Sequence, residues 1–219
     1  MACIAPSQVV SSTVASDFGR VAETIISALY LKDNKRPGFF PLPPGLDFMD
    51  IGTGFGNTVL YIAYLKANHS KLSPSQLAKL SSDGLLKIPD IASLQPPGGG
   101  EFYEIKPNSD SGKLAGMEKV AFVDALYTSC GLPYVPGTKW KPDKRITVFD
   151  GKLLGIEVKV FFHFFLLSPG LVVYEVCAEG KTRPLTSAEL AAIIALVIIA
   201  LIAIVLSDGA ILIPAAVLI

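Results

Sequence analysis

Residues 88 to 107 read Ile-Pro-Asp-Ile-Ala-Ser-Leu-Gln-Pro-Pro-Gly-Gly-Gly-Glu-Phe-Tyr-Glu-Ile-Lys-Pro. The Pro/Gly run at the centre interrupts any regular element, so the stretch predicts two short strands around a loop at Gln95 to Gly100. Side chains alternate across a strand, which puts Glu104 and Lys106 on one face of the second strand. Folding the pair back on itself brings Asp90, on the first strand, close to Glu104. Two neighbouring carboxylates repel, and without a cation one of them keeps its proton. A hard divalent cation removes that conflict because it takes oxygen ligands.

Pro89-Asp90 followed by Glu104-Ile105-Lys106 resembles the PD-(D/E)xK nuclease signature. The context Tyr103-Glu104-Ile105-Lys106-Pro107 also resembles the nuclease domains of bacterial polymorphic toxins, over roughly residues 17 to 150. The resemblance implies an α/β (α+β) fold, a restriction-endonuclease-like core of a mixed sheet flanked by helices. It implies that Asp90 and Glu104 hold Mg²⁺ or Mn²⁺, with Glu23 of the first helix as an extra acidic ligand. Lys106 would orient or activate water, and Lys113 or Lys119 of a later helix would meet phosphate. The expected partners are nucleic acid, DNA in preference to RNA, and an immunity protein or a component of a delivery machine.

The same pattern recurs. Pro142-Asp143 precedes Glu157-Val158-Lys159 with the same gap. The first copy is favoured because a helix follows it and its lysine stands before a turn, whereas Glu157 and Lys159 fall inside a hairpin. The structural alternative for both copies is a turn aspartate and a surface ion pair of little energetic consequence.

Along the chain, residues 8 to 32 show helical spacing of Val14, Phe18, Val21, Ile25 and Leu29. Residues 33 to 47 form a Pro/Gly-rich loop. Residues 48 to 57 resemble the first motif of Rossmann-like methyltransferases through Gly52, Gly54 and Gly56, but no acidic strand end follows at ribose-binding distance. Helices are expected at 57 to 68, from Ser73-Pro74 to Leu80, and from Lys113 to Ser129. Asp150-Gly151 predicts a hairpin turn within a three-stranded meander from 145 to 177. The basic-aromatic cluster around Trp140, with Lys139, Lys141, Lys144 and Arg145, reads either as a base-stacking surface or as a solvated loop.

Leu190 to Leu206 is an unbroken run of seventeen apolar residues, and Ala210 to Ile219 is apolar again. A helix apolar on every side needs lipid or protein around it. This predicts a domain at 1–184 and a hydrophobic, membrane-interacting tail at 185–219, with contact through 188–219. The alternative is a helix buried in the core. Formal net charge is zero, so no global field draws in nucleic acid and a local basic patch must serve. Cys3, Cys130 and Cys177 are odd in number and far apart, which predicts neither a disulfide framework nor a zinc site. The first ten residues lack a signal-peptide pattern. The expectation is a metal-dependent nuclease toxin passing from a bacterial cytoplasm into a target cell. The rival readings are a non-enzymatic membrane-inserting protein and, third, an S-adenosylmethionine-dependent methyltransferase.

Overall fold

A computed structural model describes residues 1–34, 48–49, 57–81, 88–95 and 99–207. The glycine motif at 50–56, the loop at 35–47 and the apolar stretch at 210–219 lie outside the described residues. The elements in order are β1 (Ala2–Ile4), a 3₁₀ turn (Pro6–Gln8), α1 (Ser12–Asp33), β2 (Phe48–Met49), α2 (Asn57–Asn68) and α3 (Pro74–Ser81). Then come β3 (Ile91–Gln95), β4 (Gly99–Pro107), α4 (Asp110–Ser129), β5 (Tyr134–Pro136), β6 (Asp143–Leu153), β7 (Ile156–Ser168), β8 (Leu171–Gly180) and α5 (Ser187–Ser207).

The strands form one mixed sheet in the order β2-β3-β4-β8-β7-β6. β3 and β4 are the expected antiparallel pair, with Gln95 opposite Gly99 and Ile91 opposite Tyr103. After α4 the chain returns parallel to β4 twice. β5 pairs with its first half, and β8 with Glu104 to Pro107. The fold is thus a mixed α/β sheet flanked by helices, with an apolar helix near the C-terminus.

Helix starts follow local chemistry. Ser11 Oγ accepts from Val14 N at 3.4 Å, and Ser109 Oγ from Gly112 N at 3.1 Å. Ser73 and Gln76 satisfy each other's backbone N–H at the start of α3. At α5 the cap is Thr186 rather than Ser187. Thr186 Oγ1 accepts from Glu189 N, Thr186 N donates to Glu189 Oε2, and Arg183 holds the same carboxylate.

The sheet separates two cores, and alternation along the strands decides the side. Tyr103, Ile105, Val172, Tyr174 and Val176 face α1 and α5. Phe102, Leu171 and Val173 face α2, α3 and α4. Trp140 is buried with the first group. Its indole Nε1–H donates to Asp33 Oδ2 at 3.0 Å, and its ring meets Tyr30 and Tyr103 edge-on. It therefore has no face to offer a base.

Two expectations are corrected. The turn between β6 and β7 lies at Leu154-Gly155, both with positive φ (51° and 81°), and Asp150-Gly151 falls within β6. The longer hairpin carries Leu153 and Ile156 onto the core, an apolar gain that outweighs the local turn preference. Cys3 and Cys177 stand opposite each other in β1 and β8 and form a disulfide. Their separation of 174 residues left no local sign of it. In the loop-entropy account such a closure stabilises by about 5 kcal/mol.

Beyond the expected boundary between 184 and 185, α5 packs on α1 and the sheet. Ile193, Ile194 and Ile198 of α5 are fully buried against α1 and the sheet, while Leu196 and Ile199 on its other side are exposed. Ending the chain before Ser187 should therefore abolish cooperative unfolding rather than liberate a soluble domain. Ile198→Ala in the full chain should cost about 2–5 kcal/mol. Urea titration followed by circular dichroism measures both.

Candidate active site

Continuing the β3–β4 register one step beyond Ile91 and Tyr103 places Asp90 opposite Glu104. The hydrogen-bonded ladder stops there, and the Asp90 side chain replaces the missing strand. Its Oδ2 accepts from Ile105 N at 2.6 Å. Glu104 is fixed from the other side, its N–H donating to the carbonyl of Gly170 at 2.8 Å. Glu104 and Lys106 share a face, as alternation requires, and that face looks toward α4.

The charged atoms meet closely. Lys106 Nζ donates to Glu104 Oε1 and lies 4.0 Å from Asp90 Oδ2. Lys119, from the middle of α4, places Nζ 2.9 Å from Glu104 Oε2 and 3.8 Å from Asp90 Oδ1. Two carboxylates and two amines are thus interleaved. They are not the open patch that two strands alone suggest, because Asp90 is 4 % and Glu104 1 % exposed, with the lysines nearer to solvent. α4 covers the carboxylates, and no reading of the hairpin by itself shows that.

Burial, reinforced by the Asp90 charge, pushes the Glu104 carboxyl up, and the two lysines oppose the shift without cancelling it. Burial works to lower both amines. The Asp90 and Glu104 charges outweigh it, so Lys106 and Lys119 are held above the ordinary lysine value. Glu23 of α1 adds to the effect on Lys106. Burial and then the Glu23 charge also raise Tyr174, which keeps its phenol proton.

Close approach of α4 needs glycine. A Cβ on Gly116 would lie 2.5 Å from Leu171 Cδ1 and 3.1 Å from Lys106 Cγ, and one on Gly112 would lie 2.4 Å from the Pro107 carbonyl oxygen. Two glycines four apart in a helix were the available sign that this helix presses on the end of β4.

No protein-family model, no curated protein and no solved structure matches the chain.

The expected residues divide accordingly. Asp90, Glu104, Lys106 and Lys119 converge. Glu23 acts on the cluster through its charge, but among the described residues Glu23, Asp90 and Glu104 do not form a trio of ligand atoms within 4.8 Å of one another. Lys113 stands apart, paired with Asp110 at 3.0 Å on the surface of α4. The second copy of the motif is pulled apart. Asp143 stands opposite Phe165 and Glu157 opposite Lys152, eight residues along β7 or roughly 27 Å.

The carboxylates of Asp90 and Glu104 are the oxygen donors that a hard divalent cation takes. Glu104 Oε2 is buried with the Lys119 amine 2.9 Å away. The amines crowd the same oxygens, so a cation at Asp90 and Glu104 must displace at least one of them. Protonated Glu104 cannot ligate, and its carboxyl is raised above 4.5. Mn²⁺ affinity, read by isothermal titration calorimetry, should therefore begin to fall on acidification at a higher pH than an ordinary carboxylate site would show. Gly116→Ala should destabilise the fold by about 1–3 kcal/mol and weaken the same binding, as α4 is pushed off Lys106.

Proposed function

We propose that the chain is a metal-dependent nuclease of the PD-(D/E)xK kind. The observation that carries the reading is the convergence of Asp90, Glu104 and Lys106 at the end of two paired strands, which the resemblance requires. The order of elements supports it: a helix, a short strand, two helices, an antiparallel pair of strands, a helix, then a strand parallel to the one that carries Glu104 and Lys106.

In this reading Asp90 and Glu104 hold Mg²⁺ or Mn²⁺. The cation supplies Lewis-acid neutralisation of the charge that grows on the phosphodiester. Lys106 orients the attacking water from the solvent side of the pair. Lys119, held fully protonated by the carboxylates, faces the phosphate. DNA is the proposed substrate. The toxin setting, with an immunity partner and delivery into another cell, belongs to the same reading.

A second observation favours membrane contact. Ser187–Val205 is long and apolar enough to cross a bilayer, and 28 % of that stretch is buried. Its inner side closes the core, so the proposed contact is through Leu196 and Ile199, with the helix lying against lipid rather than leaving the domain.

The test is Mg²⁺-dependent cleavage of plasmid DNA. Removing Glu104 outright leaves two buried amines without their partner, a loss of about 3–5 kcal/mol, so conservative changes are needed. Glu104→Gln and Lys106→Met should lower cleavage on the order of a hundredfold or more, with unchanged circular dichroism. Glu157→Gln should cleave as the parent does. Full cleavage by Glu104→Gln and Lys106→Met would end the nuclease reading.

A further inference from the structure

Away from the charge cluster, the sheet carries a second group of ligating side chains. Cys3 of β1 with Glu175 and Cys177 of β8 is the one trio of His, Cys, Asp or Glu ligand atoms lying within 4.8 Å of one another among the described residues. A fourth side chain stands behind Glu175, outside the 4.8 Å that the three ligand atoms share. His163 of β7 stands opposite Glu175, and its Nδ1 lies 2.9 Å from Glu175 Oε1. The imidazole is held from behind, because Nε2 lies 3.1 Å from Asp143 Oδ1. Glu175 is steadied in turn by Asn108 Nδ2, which donates to Oε2 at 2.7 Å. His163 and Cys177 are buried.

As drawn, the two sulfurs are bonded to each other and neither is a thiolate. Reduction changes the chemistry of the group. We propose that, once the Cys3–Cys177 disulfide is reduced, Cys3, Cys177 and Glu175 bind one Zn²⁺. Two thiolates and one carboxylate are ligand types that zinc takes, and water completes a tetrahedral site. His163 Nδ1 stands against the Glu175 carboxylate, the kind of outer partner that orients a ligand.

The step balances with a low-molecular-weight thiol as reductant. Two thiols lose two electrons and two protons and become a disulfide. The Cys3–Cys177 bond takes up both and breaks to two S–H groups. Zinc then displaces those two protons to solvent. The result is that β1 stays fastened to β8 in either redox state, by a covalent bond when oxidised and by the metal when reduced. Nothing here depends on the nuclease reading.

The test uses the full chain, reduced with a phosphine that does not bind zinc. Zn²⁺ is titrated against a chromophoric chelator, and Co²⁺ serves as the spectroscopic probe. The reduced protein should bind one ion and show thiolate-to-cobalt charge-transfer absorption with tetrahedral ligand-field bands. The oxidised protein should show neither. Cys3→Ser should remove the charge-transfer signal. Glu175→Gln keeps both thiols and should weaken binding at least about tenfold, and His163→Ala, which removes the partner of that carboxylate, by about ten- to a hundredfold. Cys130→Ser and Glu104→Gln should leave the signal intact, which separates this site from the free thiol and from the Asp90–Glu104 carboxylates. Absence of a thiolate signal in the reduced parent, its loss in Cys130→Ser, or unchanged affinity in both His163→Ala and Glu175→Gln would overturn the proposal.

Discussion

A carboxylate at 1 % exposure in the middle of a sheet must be compensated, and much of this molecule is arranged around that need. Desolvating Glu104 beside Asp90 is unfavourable until opposite charge arrives. Lys106 supplies it from the same strand, and Lys119 from a helix that must come close enough to reach. That approach requires Gly112 and Gly116, where a Cβ would meet the Pro107 carbonyl and the Leu171 side chain. The cluster is therefore tied to how closely α4 packs on β4.

The apolar helix α5 answers a different constraint. Its hydropathy is uniform around the axis, yet only one side is needed to close the α1 face of the sheet. Ile193, Ile194 and Ile198 contribute as ordinary core residues do. Leu196 and Ile199 stay exposed on the outer side.

The hairpin and the convergence of Asp90 with Glu104 were legible from residues 88 to 107 because two strict rules apply there. Side chains alternate along a strand, and a Pro/Gly loop folds the chain back. α2 and α3 were legible for a similar reason, since their caps and helical spacing are local. What could not be read depends on distant partners. Burial of the carboxylates is the work of α4. The Cys3–Cys177 bond joins residues brought together only by the finished sheet. Asp150-Gly151 is a good turn sequence overruled by the packing of Leu153 and Ile156. Trp140 sits in a basic stretch but is held by Tyr30, Tyr103 and Asp33, none of them near it in sequence.

The position of α5 in the chain has a consequence for synthesis. Every described strand of the sheet precedes it, so β7 is made with Val158, Val160, Phe162 and Phe164 already aligned along one face. α1 covers part of that face, and the rest stays wet until α5 is made. During that interval a nascent chain displays a broad β-rich apolar surface of the kind that invites self-association. Such a chain would call on holding chaperones late in translation, and slow codons just ahead of residue 187 would lengthen the period at risk.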